Sequence, residues 1–304
     1  MKIVFIGGVK FSYAILEKIL NENFSVEAVF SYHESKNFFY SDYESFDKIT
    51  DEHKIKHIKV MNINDEENIK IINEIQPDII FVMGWSQLLK DKLLKIPKLG
   101  VIGSHPTELP KYRGRAPIPW SIIKELTESA LTFFYISPGM DDGDILCQEK
   151  FQITLTDDST SLYQKMTELG KKMISQSLPL LKSGNAKRIP QNLEDFIENW
   201  PKRTPEDGKI DWSKPAKEIH TLIRASTNPY PGAYSFLLGS KIIVWKSKLL
   251  QHPSDGIGKI MNVDNDEIHV GTGNNVLIIQ KYTVVASNSI NTITKNNMGT
   301  FFDK

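Results

Sequence analysis

The feature that most constrains this fold is a rhythm in the first hundred residues. Short apolar runs recur: "KIVFIGG" (2–8), "SVEAVFSY" (25–32), "HIKVMNI" (57–63), "DIIFVMGW" (78–85) and "LGVIGSH" (99–105). Between them lie segments with apolar residues at helical spacing, "FSYAILEKILNE" (11–22), "DEENIKIINEIQP" (65–77) and "SQLLKDKLLKIP" (86–97). Runs this short read as strands buried on both faces, and their alternation with amphipathic helices predicts a doubly wound parallel sheet. Such sheets bind ligands beyond the carboxyl ends of their strands. His105 and the loop after Trp85 fall at such ends.

The pattern changes along the chain. "ALTFFYI" (130–136) and "ILCQEKFQITL" (145–155) read as further strands, and residues 159–184 as a long helix stopped by Gly184. Residues 190–215 are polar and rich in Pro, Asp and Lys, which reads as a linker. Beyond "AKEIHTLIRAS" (216–226), short strand-like runs are separated by Gly, Asn and Asp turns, which predicts a small barrel or sandwich. The expected domains are residues 1–200, carrying the chemistry, and residues 201–304, a linker helix followed by the barrel.

Composition narrows the class. The 304 residues are 40% hydrophobic and 24% charged, with Lys+Arg and Asp+Glu both 37. That is ordinary for a globular protein, and the zero net charge argues against a broad basic nucleic-acid surface. The single cysteine, Cys147, excludes an intramolecular disulfide and points to a reducing compartment, the cytoplasm. The opening apolar run is too short for a membrane span and lacks a signal-cleavage pattern.

Three stretches carry possible chemistry. "FIGGVKFS" (5–12) is not a dinucleotide fingerprint, but its turn at a helix start could hold a phosphate through Gly8, Lys10 and Ser12, or could be structural only. "GVIGSHPTELPKYRGRAPIPW" (100–120) places His105 at a strand end ahead of a proline-rich loop bearing Arg113, Gly114 and Arg115. The arginines could grip a phosphate or carboxylate, or could form salt bridges within the loop. "MDDGD" (140–144) offers carboxylates that could orient His105, or could be a solvated turn. No histidine or cysteine spacing suggests a metal.

Together "HPTELPKYRGRAPIPWSII", "MDDGDIL" and "RTPEDGKIDWSKPAKEIHTLIRASTNPYPGAYSFL" resemble the folate-dependent formyltransferases. The resemblance implies a Rossmann-like catalytic domain, an OB-like C-terminal barrel, 10-formyltetrahydrofolate as donor and no metal. It implies that His105 matches the catalytic histidine and Asp141 the aspartate of D-x-G, and that Asp141 keeps His105 protonated. The family's asparagine, two residues before the histidine, falls on Gly103, so either Ser104, a backbone amide or another residue takes its place, or the chemistry leans harder on His105. Donor-binding positions implied are Met83, Gly84, Trp85, Gln87, Leu88, Leu89, Ile136, Gly139 and Asp141. Acceptor-binding positions are Gly8, Lys10, Ser12, Arg113, Gly114, Arg115, Asn228 and Tyr230, with packing as the competing role for Tyr230.

The acceptor implied is a nucleotide-linked amino sugar, expected to be a 4-amino-4,6-dideoxy sugar of surface-glycan synthesis. Methionyl-tRNA is the alternative, and a degenerate folate-binding protein is a third reading prompted by Gly103. Residues 205–304 hold eleven Lys and Arg against nine Asp and Glu, a modest platform for a polyanion. The expected partners are therefore folate and a small acceptor rather than nucleic acid or membrane. A homodimer is compatible with the sequence.

Overall fold

A computed structural model describes residues 1–35, 41–264, 267–285 and 290–303. It divides into two compact units. One comprises Met1–Pro117, Thr127–Ile153 and Tyr163–Pro201, and the other Ile118–Leu126, Thr154–Leu162 and Lys202–Lys304.

In the first unit, β1 (Ile3–Ile6), α1 (Lys10–Asn21), β2 (Val26–Tyr32), α2 (Asp47–Glu52), β3 (Lys56–Val60), α3 (Glu66–Ile75), β4 (Ile79–Val82), α4 (Asp91–Leu94) and β5 (Val101–His105) follow the alternation read from the sequence. These five strands are mutually parallel. After them in the chain come β6 (Tyr112–Gly114), α5 (Pro117–Ile123), β7 (Glu128–Tyr135), β8 (Ile145–Gln152), α6 (Ser159–Ser183) and β9 (Glu198–Trp200), of which α5 from Ile118 and the start of α6, to Leu162, belong to the second unit. β7 and β8 extend the sheet antiparallel, giving the order β3-β2-β1-β4-β5-β7-β8. The direction of winding reverses between β1 and β4, so their carboxyl ends form the topological switch point.

Val4, Ile6, Ala28, Phe30, Ile80 and Val82 point into one continuous core, which explains why these strands are apolar throughout. Burying such side chains contributes about 1.5–3 kcal/mol each. Gly184 follows α6 with φ +73°, the left-handed conformation that favours glycine after a helix.

Residues 190–215 are not a free linker. β9 pairs in parallel with β6, placing this segment beside the loop after His105. Ile210 and Trp212 are fully buried in the core of the second unit. Their large apolar side chains are sparse in a polar context, so no helical or strand period announces them.

The second unit contains α7 (Ala216–Ser226) and the strands β10 (Ala233–Leu237), β11 (Ser240–Pro253), β12 (Ile260–Asp264), β13 (Glu267–Gly271) and β14 (Asn275–Val284). The strands pair antiparallel in the order β10-β11-β14-β13-β12. The C-terminal segment joins the two edges: Phe301 bridges Lys259 and Phe302 bridges Leu237. Phe302 N donates to Gly258 O at 2.9 Å and Asp303 N to Phe236 O at 2.9 Å. Closure of this kind removes exposed strand edges and produces the small barrel expected. Among the described residues, no helix is long and apolar enough to cross a membrane.

Candidate active site

β5 delivers His105 to the carboxyl end of the sheet. The strand pairs with β4 on one side and β7 on the other, and His105 faces Thr132 in the antiparallel register. The loop that follows is held from below: Thr132 Oγ1 donates to Thr107 O at 2.6 Å, and Gln148 Nε2 to Leu109 O at 3.0 Å. Thr107 Oγ1 in turn donates to Tyr112 O at 2.5 Å. Tyr112 stacks on Trp200, with ring centroids 4.6 Å apart.

His105 is only 5% exposed. Its Nε2 lies 3.2 Å from Tyr112 O. A carbonyl can only accept, so Nε2 carries the hydrogen and Nδ1 is the basic nitrogen of the neutral ring. Nδ1 lies 3.8 Å from Asp141 Oδ2. Burial lowers the proton affinity of His105, and it outweighs the opposing effects of the Asp141 carboxylate and the Tyr112 carbonyl. Burial thus works against the expectation that Asp141 keeps His105 protonated. The resting imidazole is neutral near pH 7, and Asp141 is placed to stabilise a proton that arrives at Nδ1.

Asp141 sits on a tight turn with φ +51°, a left-handed conformation costing roughly 1–2 kcal/mol in a non-glycine residue. Its Oδ2 accepts from Gly114 N at 3.1 Å. A Cβ at Gly143 would come within 1.8 Å of Tyr135 O, so the third position of D-x-G requires glycine. Asp142 faces elsewhere, accepting a hydrogen bond from Ser137.

Gly103 and His105 lie on the same face of β5, and the pleat puts Ser104 on the opposite one. Ser104 therefore does not substitute for a side chain at 103. That space is filled by Ile136, whose Cδ1 and Cγ1 lie 2.9 Å from where a Cβ on Gly103 would be.

The switch-point turn differs from its expectation. Ser12 Oγ accepts from Gly8 N at 3.0 Å and Val9 N at 2.9 Å, and donates to Val9 O at 2.7 Å. Lys10 N donates to Asp42 O at 2.9 Å, and Phe11 N to Tyr163 Oη at 2.9 Å. These donors at the start of α1 are engaged within the protein, and Ser12 is fully buried. A Cβ at Gly8 would meet the Tyr32 ring at 2.4 Å, so packing explains this glycine. Gly8, Lys10 and Ser12 thus do not form the phosphate cradle foreseen for them, although the Lys10 side chain is exposed.

The loop after β4 is also largely committed. Met83 is fully buried and Leu89 belongs to the core, so neither forms an open pocket wall. Gln87 accepts from Ile63 N at 3.0 Å and donates to Met61 O at 2.7 Å. Trp85 stacks on Tyr32 with centroids 3.8 Å apart and planes 4° from parallel, and among the described residues its buried Nε1 has no hydrogen-bond partner. Leu88 is exposed, and Gly84 has φ +58° against Val9. Beside the Asp141 turn, a cavity of about 330 Å³ is lined by residues including Ile136, Ser137, Asp142, Gly143 and Arg188. A Cβ at Gly139 would meet the Asp142 carboxylate at 1.9 Å.

Of the loop cations, Arg113 donates to Gln191 Oε1 at 2.7 Å, while Arg115 is exposed. Asn228 and Tyr230 belong to the second unit, where Asn228 O accepts from Thr160 Oγ1 at 2.6 Å. Gln191, Trp200 and the carbonyl of Tyr112 were not foreseen. Backbone groups carry no residue-type signal, and Gln191 lay inside a stretch read as linker. Among the described residues, no group of three or more His, Cys, Asp and Glu is arranged to hold a metal ion.

Known proteins resemble this chain in sequence and in fold. The methionyl-tRNA formyltransferase of Clostridioides difficile (strain 630) is 35% identical over 287 residues, covering 92% of this chain and 91% of that protein. Among solved structures, HypX from Aquifex aeolicus with tetrahydrofolic acid has a TM-score of 0.70 at 18% identity, covering 94% of this chain and 44% of that one. An N-formyltransferase from Helicobacter canadensis, in complex with folinic acid and dTDP-3-aminofucose, has a TM-score of 0.67 at 21% identity, covering 93% and 99%. The formyl transferase family profile matches residues 1–178 and the formyl transferase C-terminal domain profile residues 202–292, so the chain belongs to the formyl transferase family.

Proposed function

We propose that this protein transfers a formyl group from 10-formyltetrahydrofolate to the amine of a nucleotide-linked amino sugar. The observation that carries the transfer reading is the neutral, buried His105 with its basic Nδ1 facing Asp141. The folate, when bound, supplies an activated formyl group. His105 takes the proton released by the attacking amine as the new C–N bond forms, and Asp141 stabilises the resulting imidazolium. The same imidazolium then returns a proton to the folate nitrogen as its bond to the formyl carbon breaks.

The residues that flank Asp141 in sequence, Ile136, Ser137, Asp142 and Gly143, line a cavity that supports a small-molecule donor. The cavity next to the Asp141 turn is within the range of small-molecule sites, about 300–1,000 Å³, and combines carboxylates, backbone groups and the Ile136 side chain. We assign the donor to segments 83–89 and 136–142. Within them Gly84, Trp85, Leu88, Ile136 and Gly139 remain candidates for direct contact.

The sugar reading is supported by the charge arrangement of the second unit. Lys217 pairs with Glu125, Lys248 with Glu267 and Lys259 with Asp255. Cations neutralised in this way offer a weak surface for a polyanion, which needs many phosphate contacts. Arg113, Arg115, Asn228 and Tyr230 are retained as candidates for acceptor contact. Methionyl-tRNA is the second reading, favoured by the C. difficile relative. The test is formylation of a dTDP- or UDP-linked amino sugar and of methionyl-tRNA at equal folate concentration. The proposal requires the sugar to be the better substrate. Preference for methionyl-tRNA, with affinity lost steeply as salt rises, would select the second reading.

A further inference from the structure

The Asp141 turn is held by a residue fifty positions further along the chain. The side-chain amide of Gln191 donates to Asp141 O at 2.8 Å and to Gly143 O at 2.8 Å. Its Oε1 accepts from Arg113 Nη2 at 2.7 Å. Both amide hydrogens are thus engaged, each on one end of the turn. The arginine at the other end of the side chain lies on β6, between Tyr112 and Gly114. Tyr112 supplies the carbonyl that fixes the tautomer of His105, and Gly114 supplies the amide that binds the Asp141 carboxylate. One side chain therefore ties the segment positioning the aspartate to the strand positioning the histidine.

We infer that Gln191 is a positioning residue for formyl transfer, setting the distance between Asp141 and the basic nitrogen of His105. The inference rests on the transfer reading proposed above. Asp141 holds a left-handed φ of +51° that an L-residue does not favour, so the turn needs restraint from outside itself. Nδ1 and Oδ2 are 3.8 Å apart, and Asp141 is the chief group opposing the effect of burial on His105. If the turn relaxes and the carboxylate withdraws, His105 becomes a still weaker base.

The test compares full-length Gln191→Leu and Gln191→Glu with the wild type. Leucine removes every hydrogen bond. Glutamate keeps the shape and the acceptor for Arg113, but sets an oxygen against two carbonyls. If Gln191 merely fills space, the glutamate variant restores function. As a positioning residue it cannot be replaced by either: kcat falls by about tenfold or more, the misplacement penalty expected of an unmoored catalytic pair, while the acceptor KM changes by less than about twofold.

Two readouts need neither donor nor acceptor. Amide exchange at Gly114 N should accelerate as Asp141 leaves it, and the His105 imidazole, followed by nitrogen NMR, should titrate at lower pH than in the wild type. Melting temperatures identify any variant that fails to fold, and the second substitution then decides. Unchanged exchange at Gly114 with unchanged His105 titration in a folded variant would overturn the inference, as would full activity of Gln191→Glu. Wild-type protein that formylates neither acceptor would instead sink the transfer reading, while the exchange and titration data still decide whether Gln191 holds the pair.

Discussion

Two strand ends in the same sheet look equally promising and turn out differently. β1 ends in a glycine turn that starts a helix, at the topological switch point where such folds bind ligands. There Ser12, Asp42 and Tyr163 take up the free amides, and Tyr32 and Trp85 stack over the adjoining loop. β5 ends in His105, whose basic nitrogen faces the Asp141 carboxylate at 3.8 Å. Position at a strand end is therefore permissive, not sufficient. Chemistry needs a polar group that folding has oriented but not saturated.

The contrast predicts its largest effect at β5. His105→Ala should slow transfer by about two to three orders of magnitude while the protein still folds. Ser12→Ala, at the other end, should leave acceptor KM and kcat unchanged. A tenfold rise in acceptor KM for Ser12→Ala would return the phosphate site to β1 and break the comparison.

Asp141→Asn comes next, with a loss of roughly tenfold or more, because a neutral amide stabilises an imidazolium poorly. Asp142→Asn should do much less, since Asp142 bonds to Ser137 rather than facing His105. Reversed effects in steady-state kinetics would mean that the turn presents the other carboxylate.

Gly103→Asn should not improve the enzyme. The new side chain would collide with Ile136, and overpacking of this kind costs about 1–3 kcal/mol, visible in chemical denaturation. Adding Ile136→Ala should recover most of that loss. Failure to recover it would show that something other than Ile136 closes the space.

The smallest effects concern stability. Ser12→Ala should cost about 1–3 kcal/mol, because it leaves the buried Gly8 and Val9 amides without their acceptor. pH acts in the same range. Burial holds His105 and His57 below the ordinary histidine range and His220 down to about 4. The unfolded chain binds their protons near pH 6.5, so between the folded and unfolded values it carries more protons than the native state. Stability should therefore be full above about pH 6.5 and decline as pH falls toward 4. Thermal melts that do not change over that interval would contradict the burial of these rings.

The sequence announced most of the framework because apolar runs and helical spacing report burial directly. The five parallel strands, the stop of α6 at Gly184 and the C-terminal strands all follow from such patterns. His105 and Asp141 were legible through a motif. The protonation of His105 was not, because it depends on how deeply the ring is buried. Nor was the direction of Ser104, which the strand's pleat sets opposite to Gly103. Gln191 and Trp200 were hidden for another reason: they act across long separations from within a polar stretch that lacks periodicity. The committed state of Gly8, Ser12 and Gln87 was equally invisible, since the sequence shows which groups can bond but not which already have partners.

The account's central claim is that the reactive end of β5 holds a neutral His105 with Nε2 protonated and Nδ1 facing Asp141. Nitrogen-15 NMR of histidine-labelled protein tests it most directly, with His105 assigned by its loss in His105→Ala. The account predicts an Nε2–H tautomer at pH 7.5 and a titration midpoint below 6.5 that falls further in Asp141→Asn. An Nδ1–H tautomer, or an imidazolium that persists at pH 7.5, would contradict it.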